Sequence, residues 1–142
     1  MNEIQDISGA VRQKLDKNYA RFLGLEVVAA SPGAVTLALD HRAEFEFAPG
    51  YFEGVITSAV GQIAASYSGS STSNLDWTHL VMQQSIRFVS PAFGERLVAV
   101  GKVVKTGRAV SFTSAEIFVE HRGKRNLCAL LDMTMRHIPP KA

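Results

Sequence analysis

The chain has 142 residues, 46% hydrophobic and 20% charged, which fits one soluble domain with a substantial core. A net charge of +2 and scattered basic residues exclude the clustered Lys/Arg footprint of a nucleic-acid binder. The one cysteine, Cys128, excludes an internal disulfide framework; inside Leu127-Cys128-Ala129-Leu130-Leu131 it reads as a buried, inert thiol.

The opening Met1-Asn2-Glu3-Ile4-Gln5-Asp6 carries no basic-then-apolar leader. No apolar run reaches the ~18 residues of a membrane span, so a cytoplasmic protein is expected. Residues 3–20 predict a helix, because Ile4, Ile7, Val11, Leu15 and Tyr19 recur at spacings of three and four. Leu25–Ala29 predicts a short strand. Ser31-Pro32-Gly33 is a turn, and Val35–Asp40 alternates as the second strand of a hairpin.

Residues 41–53 predict a loop, bent most sharply at Pro49-Gly50. A helix of small residues follows over 54–67, and Ser68–Asn74 reads as a flexible surface connection. Four strands are then expected, at 78–89, 96–105, 109–120 and 126–136, with Met82, Ile86 and Phe88 sharing one face of the first. Short turns between them predict a meander. The order α-β-β-α-β-β-β-β implies an antiparallel sheet curved around one small-residue helix, an α+β architecture. The free face or edge of that sheet predicts a homo-oligomer; the other arrangement is a monomer whose N-terminal helix covers the second face.

At this point the chain resembles the hotdog fold, and within it the acyl-CoA thioesterases related to the phenylacetate-pathway and 4-hydroxybenzoyl-CoA enzymes. Three segments of residues 20–137 carry the resemblance. Gly50-Tyr51-Phe52-Glu53-Gly54-Val55-Ile56-Thr57 is similar to the family's Gly-Tyr-Phe-His-Gly-Gly-Val-Thr. Ser85–Leu97 resembles its Asn-Ile-x-Phe-Leu-x-Pro-Ala-x-Gly-Asp-x-Leu. Val103-Val104-Lys105-Thr106-Gly107-Arg108 resembles its Val-Val-x-x-Gly-Arg hairpin. The resemblance implies one hotdog domain over 1–142, a dimer or tetramer, and hydrolysis of an acyl thioester such as acyl-CoA without metal or redox cofactor. It implies no nucleic-acid or membrane partner.

Three polar positions depart from the family pattern. Glu53 stands for its His, Gln62 for the acidic residue nine positions later, and Phe47 for the Asn six positions earlier. Hydrolysis needs a polarised carbonyl and an activated water or attacking carboxylate. The resemblance assigns the first to the amide of Gly54 or Val55 at the helix N-terminus. Gln62 is neither base nor nucleophile; it holds a water or carbonyl by hydrogen bonds. Glu53 is the remaining carboxylate, and an exchange of roles makes it the base, facing Gln62 of a second subunit. The plain structural alternatives are a first-turn capping carboxylate for Glu53 and a satisfied interface amide for Gln62, which leave a protein that binds an acyl thioester without cleaving it.

Thr57 is a substrate donor or a back-bonded structural threonine. Tyr51 and Phe52 line an acyl pocket or belong to the core. Gly107-Arg108 meets a CoA phosphate or is a solvated hairpin; Arg87, Lys102 and Lys105 are weaker candidates of that kind. His41, His79, His121 and His137 show no metal-ligand spacing. Dehydratase or isomerase chemistry wants a His beside an acid, and none is visible near the helix in the sequence. No Gly-x-Ser-x-Gly elbow supports a serine hydrolase.

Overall fold

The structure, a computed structural model, describes residues 5–141. Two short helices open it. α1 spans Ser8–Leu15 and α2 spans Asn18–Leu23. The single helix expected over 3–20 is therefore broken, and its first two residues lie outside the described region. Asp16 leaves helical geometry at φ −74°, ψ 63°, and the Lys17 N–H turns back to the Leu15 carbonyl at 2.7 Å. α2 stops at Gly24, whose φ of +79° lets its N–H reach the carbonyls of Ala20 and Arg21.

Strands β1 (Glu26–Ser31) and β2 (Ala34–Asp40) form the expected hairpin. Residues 41–53 are more ordered than a plain loop. A 3₁₀ turn at Ala43–Phe45 leads into a small hairpin of β3 (Glu46–Ala48) and β4 (Tyr51–Phe52). Gly50, at φ +83°, makes its turn, and a Cβ there would also strike the Phe93 ring at 2.4 Å.

α3 spans Gly54–Ser71, about 27 Å of helix. It overruns the flexible connection expected at 68–74. Ser68, Gly69 and Ser70 are buried helical residues. The Ser68 and Ser70 hydroxyls donate to the carbonyls four residues back, each at 2.8 Å. The Ser68 and Ser71 oxygens in turn accept the N–H groups of Val35 and Gly33. A composition that reads as a loop is a polar helix end stitched to β2.

β5 (Thr78–Phe88), β6 (Arg96–Lys105), β7 (Val110–His121) and β8 (Lys124–Ile138) complete the antiparallel six-stranded sheet, ordered β1-β2-β6-β7-β8-β5. The expected meander holds for β6-β7-β8 only. β5 pairs with β8 at the far edge, and residues 89–95 cross the end of the sheet to start β6. That connection is too long for a tight turn and contains Pro91, which has no N–H. A bulge between Val81 and Gln83 takes Met82 out of the row it was expected to share with Ile86 and Phe88.

The sheet curves around α3, the hotdog arrangement, and the small residues explain how. A Cβ on Gly61 would meet Ile117 Cδ1 at 2.8 Å, and one on Gly101 would meet the Ala64 carbonyl oxygen at 2.4 Å. On β7, Ser111, Thr113, Ala115, Ile117 and Val119 face the helix and are buried, whereas Val110 and Phe112 face outward and are exposed. Cys128 is buried, donates its S–H to the Ile117 carbonyl, and has its pKa pushed up to about 11 by burial. Among the described residues no helix is long and apolar enough to cross a membrane.

Candidate functional site

The N-terminus of α3 is held by the small hairpin. The Glu53 N–H donates to the Phe45 carbonyl at 2.7 Å, and the Phe52 N–H donates to the Ala92 carbonyl at 2.9 Å. Glu53 is the N-cap. Its own carbonyl accepts from the N–H groups of Ile56 and Thr57, and its Oε1 accepts from the Gly54 N–H at 3.0 Å. Both Glu53 and Val55 are exposed, Val55 at 68%. Val55 stands in the first turn, where an N–H has no carbonyl four residues back inside the helix. Gly54 lies against the Phe88 ring, whose Cζ would be 3.3 Å from an added Cβ. Carboxylate, first-turn amides and an aromatic wall thus meet at one helix end.

Thr57 is buried, and its hydroxyl points back to the Glu53 carbonyl at 3.5 Å. Phe52 is a core residue, edge-on to the His41 ring. Phe47 and Tyr51 point the other way. Their rings form a row with Phe93 and His121, with centroids 5.7, 4.8 and 4.9 Å apart in turn. A hollow of about 380 Å³ beside this row is lined by His41, Gly50, Phe93, Gly94, Glu95 and His121.

A His–acid pair does stand near the helix, contrary to the sequence expectation. His41 Nε2 lies 2.9 Å from Glu46 Oε2, the oxygen that also accepts the Gly50 N–H at 2.9 Å. The Gly50 hydrogen bond, followed by His41, holds the Glu46 carboxyl below its ordinary range. The pair clips the 3₁₀ turn to the hairpin bend. Residues 41 and 46 lie outside the helix pattern, so no helical periodicity joins them to it.

Gln62 sits elsewhere. Nine residues of helix place it about 13 Å along the axis from Glu53 and about half a turn around it, so within one chain the two do not converge. Gln62 lines a cavity of about 590 Å³ between α1, α2, α3 and the start of β5. Tyr19, Leu23, Ile63, Trp77 and Val81 give it apolar walls; Gln62, Ser66, Ser70 and His79 are its polar groups, beside the charged Lys14, Lys17 and Asp76. The Tyr67 hydroxyl donates to the Lys14 carbonyl at 3.1 Å, and burial raises its pKa, so it stays protonated. The sequence reading missed this cavity. Its signal was the helix face of residues 62, 63, 66, 67 and 70, which share one stripe at spacings of three and four.

On the face of β5 that turns toward α3, Gln84 buries its Oε1 without a hydrogen-bond partner among the described residues, an acceptor open to a water or ligand. Gly107 and Arg108 lie in the β6–β7 hairpin. The Gly107 N–H donates to Ser111 Oγ at 3.3 Å, and Arg108 is exposed. Among the described residues, no three His, Cys, Asp or Glu side chains are grouped to hold a metal ion.

Residues 51–125 match the sequence profile of the thioesterase superfamily, more than half of the chain, and the protein belongs to that superfamily. Its backbone is similar to a thioesterase family protein of Silicibacter pomeroyi, with 23% identity and a TM-score of 0.86 over 92% of this chain and 99% of the other. The PaaI protein of the E. coli phenylacetic acid degradation operon matches at 17% identity and a TM-score of 0.80, covering 95% and 98%. A thioesterase of Haemophilus influenzae matches at 17% and 0.79, covering 89% and 87%. At these identities the likeness is one of fold. No curated protein sequence matches the chain significantly.

Proposed function

We propose that this protein is a cytoplasmic acyl-CoA thioesterase whose base is Glu53. The observation that carries the reading is the bond between Glu53 Oε1 and the Gly54 N–H. In the resting chain the carboxylate occupies the amide that a thioester carbonyl would need. When substrate arrives, its carbonyl oxygen takes the Gly54 and Val55 N–H groups, and the released carboxylate turns to a water. The water oxygen attacks the carbonyl carbon while Glu53 accepts its proton. The tetrahedral oxyanion is stabilised by the amides and the helix dipole. Collapse breaks the C–S bond, and Glu53 returns the proton to the departing CoA thiolate.

Gln62 enters this reading from a second copy of the chain, where its amide holds the water or the acyl carbonyl. The β5 edge supports such a copy: among the described residues it is unpaired on one side, and it carries Met82 at 58% and Phe88 at 53% exposure. The 590 Å³ cavity beside Gln62 has room for an acyl group against Leu23, Ile63, Trp77 and Val81. Arg108, on its exposed hairpin, is the candidate for a CoA phosphate.

Two observations favour a second reading. Glu53 already serves as a helix cap and Gln62 is no acid, so the site suits a protein that binds an acyl thioester without cleaving it. Thiol release from a panel of acyl-CoAs, measured beside calorimetric binding of the same compounds, separates the two. Release supports hydrolysis. Binding with no release from any compound supports the second reading.

A further inference from the structure

Two imidazoles, each held by its own carboxylate, border the hollow of about 380 Å³ beside the aromatic row. His41 follows β2 and His121 ends β7. His41 Nε2 lies 2.9 Å from Glu46 Oε2, and His121 Nδ1 lies 3.2 Å from Glu95 Oε2. A carboxylate only accepts, so each ring turns an N–H to its partner. That leaves His41 Nδ1 and His121 Nε2 without a hydrogen bond among the described residues.

The walls are aromatic and firmly set. Phe93 is 39% exposed, and its ring packs against both Tyr51 and His121. Gly94 is held so closely that an added Cβ would meet the Glu120 carbonyl oxygen at 2.4 Å. In a neutral imidazole the outer nitrogen accepts a hydrogen bond; in a charged one it donates. A purine answers either state, because it carries an amino donor beside ring-nitrogen acceptors. Its flat face suits an exposed phenyl ring.

Cations stand on the hairpin that carries His121. Lys124 is the register partner of His121 across β7 and β8, so the two side chains leave the same face. Arg122 fills the turn between them at φ +49°, the one non-glycine residue at positive φ among those described. An arginine is strained there, where asparagine or glycine is at ease. Both cations are exposed, and neither forms an ion pair among the described residues. The carboxylates nearby are already engaged, Glu46 and Glu95 by the imidazoles and Glu120 by Arg125 and Arg96.

We propose that this hollow is a purine-nucleotide site. The base lies against Phe93, its edge meeting His41 and His121, and the phosphates lie on Arg122 and Lys124. Glu53 and Gln62 line no part of the hollow, so the site stands whether or not the protein cleaves a thioester. The nucleotide is a free one or the nucleotide end of CoA, which share this chemistry.

ADP is the probe, titrated into the 142-residue chain by calorimetry, with the imidazole ¹H–¹⁵N signals followed in parallel. The wild type should bind with a Kd below about 1 mM. The His41 and His121 signals should shift while those of His79 and His137 stay. His121→Ala, and the double variant Arg122→Asn, Lys124→Gln, should each weaken binding about tenfold. Asparagine tolerates the positive φ of the turn, so the double variant should melt no lower than the wild type. Competition with desulfo-CoA tells the two sources apart. Displacement of ADP assigns the hollow to the nucleotide end of CoA, and simultaneous binding assigns it to a separate nucleotide; either supports the site. No heat from ADP at about 1 mM with His41 and His121 unshifted overturns it. So does an unchanged affinity in both variants.

Discussion

Glu53 and Gly54 are bonded to each other, carboxylate to N–H, at 3.0 Å. One short contact thereby joins the cap of the central helix to the first N–H of that helix, the amide to which the proposed function gives the oxyanion. Stability and chemistry at this residue can be separated by choice of side chain. Glu53→Ala removes the acceptor and should cost about 1 kcal/mol, a fall in Tm of about 3 °C for a chain of this size. Glu53→Gln keeps an acceptor oxygen and should melt close to wild type by calorimetry. Equal losses in both variants would mean that the charge, not the acceptor, holds the helix end.

The close approach of sheet to helix makes two glycines respond oppositely to the same substitution. An alanine Cβ at Gly101 would sit 2.4 Å from the Ala64 carbonyl oxygen, a backbone atom that cannot turn aside. Gly101→Ala should lose about 3 kcal/mol in urea unfolding. Gly9, in α1, has nothing within 4 Å of an added Cβ. Gly9→Ala should gain about 0.5–1 kcal/mol.

Both members of the His79–His137 pair have pKa values lowered by burial from the ordinary 6.5. The unfolded chain therefore binds more protons than the folded one below that value. Stability is complete above about pH 6.5 and falls as pH drops toward the lowered folded values. Urea unfolding should show that slope in the wild type and a shallower one in His137→Gln. A slope unaltered in the variant would assign the loss to other groups.

A free β5 edge predicts association. Light scattering should give at least twice the 15.4 kDa chain mass. The double variant Leu80→Lys, Met82→Lys should shift that mass toward the monomer, since lysines on an edge oppose strand pairing. A monomeric wild type would remove Gln62 of a second copy from the catalytic reading.

Much of this fold is legible in the residues, and the failures have physical causes. Gly61 and the alanines of α3 announce a closely wrapped helix, because only small side chains allow that approach. The Ser-rich run 68–71 misleads, because its hydroxyls bond to helix carbonyls instead of water. β5 misleads through its neighbour: adjacency in sequence suggests pairing with β6, yet the strand pairs with β8. Glu53 is legible as a helix-start residue from Pro49-Gly50 onward. The cavity beside Gln62 is not, because α1, α2 and β5 build its walls from sequence positions 14 to 81. The hydrogen bonds of His137 to His79 and Ser111 are equally hidden, since positions 79, 111 and 137 meet only through strand register.

The central claim is that Glu53 supplies the base for thioester cleavage. Its most direct measurement is the rate of free-thiol release from a panel of acyl-CoAs by wild type and Glu53→Gln, at equal folded concentration. The account predicts turnover in the wild type and a loss of about 10²-fold or more in kcat for Glu53→Gln, with the melting temperature retained. Equal turnover in the two proteins, or no thiol release from any substrate by the wild type, would contradict it.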